Sequence, residues 1–144
     1  MTNQRAFWDA SSILSLCVMP QDSAQAAKLY REHPMTVWWA TRVEAASAIQ
    51  RLLRTGDVKP ARAAALSQQI TLLQERWSEV QPTHRVRELA IDLLGRYPLR
   101  AADALQLAAA LIWCRENPHA RLLFTNDKQM QAAAAQIGFA VRQV

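Results

Sequence analysis

Four acidic residues of this 144-residue chain could do chemistry together. Asp9 follows the short aromatic run RAFW, and Glu44 lies near the start of the stretch RVEAASAIQRLLRTG. Asp103 stands near the start of PLRAADALQLAAALIWC, a run of alanine and leucine, and Asp127 follows LLFT. An unpaired buried charge is expensive, so a carboxylate in so apolar a run as the third needs a partner. Carboxylates gathered in one crevice repel one another, and some take up protons at neutral pH unless a cation intervenes. Oxygen ligands suit Mg²⁺ or Mn²⁺ better than zinc. Such an ion lowers the pKa of bound water and clamps the oxygens of an in-line phosphoryl displacement.

Each acid alone has an ordinary use. Asp9 at a strand end can form a turn or cap a helix. Glu44 in a first helical turn is stabilised by the helix dipole. Asp127 can be the N-cap of the helix KQMQAAAAQIG. The metal chemistry therefore requires elements that bring the four to one place.

The chain alternates strand-like and helix-like segments. RAFWDAS, MTVWWAT, SEVQP, ARLLFTND and FAVRQV read as strands. Between them, SAQAAKLYREH carries a plausible N-cap in Ser23, and RVEAASAIQRLLRTG is closed by Gly56 with Val43, Ala46, Ile49 and Leu53 as its apolar stripe. Pro60 suits the first turn of the next helix, whose Leu66, Ile70, Leu73 and Trp77 recur at helical spacing. HRVRELAIDLLGRY places Val86, Leu89, Ala90, Leu93 and Leu94 on one face, with Asp92 pointing outwards. The helix KQMQAAAAQIG stops at Gly138. The expected fold is a single domain over residues 1–144, a three-layer α/β/α sandwich with a mainly parallel central sheet. In such sheets ligands bind beyond the carboxyl ends of the strands. Asp9, Glu44 and Asp127 are expected there, and Asp103 joins them if its helix leads back to the strand LLFT.

Bulk properties suit an ordinary globule: 51% of residues are hydrophobic and 20% charged. A net charge of +5 weakly favours a polyanionic partner. The two cysteines and three histidines are scattered, which excludes a zinc or haem pattern and suits reduced thiols in a cytoplasmic protein. The early run ILSLCVM is too short to span a membrane. The five tryptophans could stack on bases, but their positions suit the core or a dimer interface better.

FWDASSIL, RVEAASAIQR, LRAADALQLAAAL and LLFTND together resemble the successive acidic motifs of PIN-domain ribonucleases, and most closely the VapC-type toxins of bacterial type II toxin–antitoxin pairs. The resemblance covers nearly the whole chain. It implies that Asp9, Glu44, Asp103 and Asp127 form a metal-binding catalytic quartet, supported by the hydroxyl residues Ser11 and Thr125. Gln106 departs from the pattern, standing where many members carry histidine. The resemblance further implies Mg²⁺- or Mn²⁺-dependent cleavage of single-stranded RNA, a homodimer, and a cognate antitoxin that inserts a segment near the site. Arg42, Arg100 and Lys128 adjoin the acids in sequence and are candidates for RNA phosphates. Two other functions compete. One is a non-catalytic PIN-like binding module. The other is a different Mg²⁺-dependent phosphoryl-transfer enzyme, such as a haloacid-dehalogenase-type phosphatase, although Ser11 stands where that family's second acid belongs.

Overall fold

The computed structural model describes residues 3–144. The described residues form five strands, all parallel in their pairing, in the order β3-β2-β1-β4-β5. The strands are β1 (Ala6–Trp8), β2 (Met35–Trp38), β3 (Ser78–Val80), β4 (Leu122–Phe124) and β5 (Ala140–Arg142). Helices α1 (Ala10–Val18) and α2 (Ala24–Glu32) join β1 to β2, and α3 (Thr41–Thr55) and α4 (Pro60–Gln74) join β2 to β3. Helices α5 (His84–Arg96) and α6 (Ala101–Trp113) carry the chain from β3 across to β4, and α7 (Lys128–Ile137) joins β4 to β5. This is the three-layer α/β/α sandwich expected from the alternation of segments.

The two cores follow from the two-residue period of a strand. Phe7, Trp38, Val80 and Leu123 face α5, α6 and α7. Ala6, Trp8, Met35, Val37, Leu122 and Phe124 face the opposite way, against α1, α3 and α4. Strands buried on both faces read as near-continuous apolar runs, as the central β1, β2 and β4 do, whereas the edge strands β3 and β5 are partly exposed. The alanine-rich α6 buries seven of its residues, and its small side chains let it lie close to the sheet.

Capping chemistry sets most helix starts. The Ser23 side chain accepts from the Ala26 N–H, and Thr83 does the same for Val86. Pro60 occupies the first turn of α4. Gly56 closes α3 with a φ of 80°, a left-handed conformation that glycine adopts without strain.

Several local expectations are corrected. ILSLCVM is the body of α1, a helix that the strand-and-helix alternation left out. The strand of MTVWWAT stops at Trp38, and Trp39 is half exposed, whereas Trp8 and Trp38 are core. Val43 and Leu94 are exposed rather than inward; Ala45 takes the core position on α3. α4 ends before Trp77. Asp92 does point outwards, paired with Arg96 at 3.0 Å.

Candidate active site

The sheet order places β1 in the middle, with β2 on one side and β4 on the other. The connection leaving β1 travels towards β2, while β4 arrives from the opposite direction. That reversal opens a crevice at the carboxyl ends of β1 and β4, the usual ligand position in a doubly wound sheet. Asp9 follows β1 directly, and Thr125, Asn126 and Asp127 follow β4.

Asp9 is both N-cap of α1 and the centre of a hydroxyl cage. It is 5% exposed. Its Oδ1 accepts from the Ser12 N–H at 2.9 Å and from the Ser11 hydroxyl at 2.7 Å. Its Oδ2 accepts from the Thr125 hydroxyl at 2.6 Å. Thr125, fully buried, in turn accepts from the Asp127 N–H at 3.1 Å. Ser11 accepts from the Asn126 N–H at 2.9 Å. Ser11 and Thr125 thus couple the end of β1 to the end of β4. Burial still pushes the Asp9 carboxyl above its ordinary 3.8, against the pull of the Thr125, Ser12 and Ser11 bonds.

Glu44 lies in the first turn of α3. Its Oε2 accepts from Nε2 of Gln106 at 2.9 Å, and the same amide nitrogen donates to the Thr41 hydroxyl at 3.0 Å. Burial raises the Glu44 carboxyl; Gln106 lowers it, and the charges of Asp9 and Asp103 raise it further. Asp103 sits at the third position of α6 and accepts weakly from the Arg100 N–H at 3.4 Å in a capping box. Burial raises it, and so does the charge of Asp127, while Arg100 lowers it. Asp127 is exposed and caps α7, accepting from the Met130 N–H at 2.8 Å.

The four acids are therefore linked in a series along one edge of the sheet: Glu44 feels the charges of Asp9 and Asp103, and Asp103 that of Asp127. Their burial differs from expectation: Asp9 is the deeply buried member, and Asp103 is only half-buried. Among the described residues, no three Asp, Glu, His or Cys side chains already stand as a ligand shell for one ion. Each carboxylate is instead committed to its own hydrogen bonds. The donor chemistry itself, neighbouring carboxylates with oxygen donors only, fits a hard divalent cation.

Of the four acids, Glu44 lines a cleft of about 680 Å³ between α1 and α3, whose lining also includes Ser11, Leu14, Ser47, Arg51 and Asn126. Of the basic candidates, Arg100 lies beside Asp103, and Lys128 opens α7 next to Asp127. Arg42 turns to α4, donating to Gln74 at 3.2 Å and to Thr71 at 3.4 Å. Arg51, which sequence reasoning did not single out, lies in the cleft wall two helical turns after Glu44; that helical spacing was the available signal. Asn126 was also missed. Its side chain bonds the Ser15 hydroxyl at 2.7 Å and both backbone groups of Val144 at 3.0 Å.

No family model matches the chain, and no curated protein matches it in sequence. Solved structures do match. PAE2754 from Pyrobaculum aerophilum is 19% identical, with a TM-score of 0.63 over 99% of this chain and 90% of its own. A toxin–antitoxin complex from Klebsiella pneumoniae contains a chain 16% identical, with a TM-score of 0.58 over 86% of this chain and 88% of that one. FitAcB from Neisseria gonorrhoeae contains one 16% identical, with a TM-score of 0.56 over 94% of this chain and 95% of that one. At this level of identity the likeness is one of architecture, and the chain has the PIN-like α/β/α fold that it shares with these proteins.

Proposed function

We propose that the chain is a divalent-metal-dependent endoribonuclease that cleaves single-stranded RNA and acts as the toxin of a toxin–antitoxin pair. The observation that supports this best is that Asp9, Glu44, Asp103 and Asp127 lie along the carboxyl edge of the sheet, where burial raises the first three and neighbouring carboxylates raise Glu44 and Asp103 further. Carboxyls raised by burial, with like charges nearby, mark a candidate site for a cation.

Asp9, Glu44 and Asp103 would hold one Mg²⁺ or Mn²⁺, with Asp127 supporting it or helping to hold a second. Bound there, the ion supplies the Lewis acidity that phosphodiester hydrolysis needs. The remaining work belongs to the chain. Ser11, Ser12 and Thr125 fix both oxygens of Asp9 before any ligand arrives, which lowers the cost of ordering the site. The cleft between α1 and α3 offers the strand a channel beside the acids. Arg51, Arg100 and Lys128 supply positive charge for its phosphates, a contribution that weakens with salt. No side-chain nucleophile is needed. The same reading implies a cognate antitoxin, a homodimer and a cytoplasmic setting; among the described residues no helix is long and apolar enough to cross a membrane.

The test uses purified protein and unstructured RNA. Cleavage is expected with Mg²⁺ or Mn²⁺ and lost in EDTA. Asp9→Asn and Asp103→Asn should abolish it while circular dichroism stays unchanged. Undiminished cleavage by both variants would remove the mechanism. Expression of the wild type should arrest growth, and co-expression of the protein encoded beside it should relieve the arrest.

A further inference from the structure

Helix α6 is apolar except for Asp103 and Gln106, and Gln106 is 2% exposed. Its Nε2 bonds Glu44 and Thr41, joining the middle of α6 to the first turn of α3. Its Oε1 is buried with no hydrogen-bond partner among the described residues. A bare buried carbonyl oxygen is destabilising, because it loses its water without gaining a partner. Methionine has nearly the same volume and would leave no such orphan. On stability alone an amide is a poor choice here. What it provides is a charge-assisted bond to one oxygen of Glu44, anchored by the fully buried Thr41. Among the described residues, the other oxygen of Glu44 carries no hydrogen bond, and Glu44 lines the cleft. A carboxylate fixed at one oxygen and free at the other is arranged to ligate.

We infer that Gln106 is a positioning residue: its amide N–H aims Glu44 and so sets how tightly the site holds its divalent ion. This rests on the metal-dependent function proposed above. It assigns to Gln106 no contact with RNA or with the ion.

The experiment measures Mn²⁺ binding to the full chain by the loss of the free Mn²⁺ paramagnetic resonance signal, without RNA and without turnover. Wild type, Gln106→Met and Gln106→His are compared, each with its thermal midpoint. Removing the partner of a metal ligand typically weakens affinity about 10–100-fold, and Gln106→Met is expected in that range with its melting temperature kept or raised. Gln106→His restores an N–H donor and should recover most of the affinity. Unchanged Mn²⁺ affinity in Gln106→Met overturns the assignment. So does a collapse of its melting temperature, which would make the amide structural, or a failure of histidine to restore binding. A wild type that binds no Mn²⁺ overturns the metal reading itself, and this inference with it.

Discussion

Asp9 is held at both oxygens by donors, yet burial raises its carboxyl above 3.8. A raised native value means that the folded chain binds this proton more tightly than the unfolded chain. For this group, stability is therefore greatest below 3.8 and falls as pH rises through the raised native value. Metal-free Asp9→Asn escapes that penalty and keeps an acceptor for the Ser12 N–H. Urea melts in EDTA should converge for the two proteins in acid and separate near neutrality, with Asp9→Asn the more stable. Each kcal/mol gained is worth roughly 2–4 °C in melting temperature for a chain of this size. Thr125→Val keeps the shape but removes the donor to Asp9 and the acceptor for the Asp127 N–H. It should destabilise the chain by about 1–3 kcal/mol in the same melts. Cys17 is buried, and desolvation pushes its thiol up to about 11. A thiol that stays protonated and covered should react with a disulfide reagent at pH 8 only after denaturation.

At the scale of elements, Asp127 has two separable jobs. It caps α7 through the Met130 N–H, and its charge acts on Asp103. Asp127→Ala loses both and should cost about 1 kcal/mol of stability by chemical denaturation. Asp127→Asn keeps a capping oxygen, so its stability should stay close to wild type while RNA cleavage falls. Equal losses of stability in the two variants would show that the cap is not what Asp127 contributes. Caps and breakers were also what made the elements legible: Ser23, Gly56, Pro60 and Gly138 mark their boundaries in the sequence as they do in the structure. Helix α1 escaped because ILSLCVM is apolar with little periodicity: Ile13, Leu16 and Cys17 are buried, but the equally apolar Val18 faces out. The outward turn of Val43 and Leu94 escaped for a related reason, since an apolar residue at the margin of a stripe does not declare which way it faces. The edge position of Asp9, Glu44 and Asp127 was legible from strand-then-helix order, while that of Asp103 depended on its helix leading back to β4. The resemblance named Ser11 and Thr125 as supporting residues, but not their bonds to Asp9, because the two lie 114 residues apart and only the pairing of β1 with β4 brings them together.

For the molecule as a whole, the sheet is ordered from its centre outwards, and its last segment closes it. Asn126 binds Ser15 on α1 and both backbone groups of Val144, so one side chain ties the end of β4, the first helix and the residues after β5. Asn126→Ala should lower stability by about 1–3 kcal/mol and speed proteolysis of the C-terminal segment. The pairing of β1 with β4 also has a consequence for how the protein is born. Asp9 finds its Thr125 hydroxyl 116 residues further along the chain. A ribosome that has made the first hundred residues has placed only Asp9 and Glu44 of the four acids in the nascent chain, and the strand that completes the site is still to come. For the nuclease proposed above, the growing polypeptide would spare the messenger it is being read from, and competence would come only when translation is nearly over.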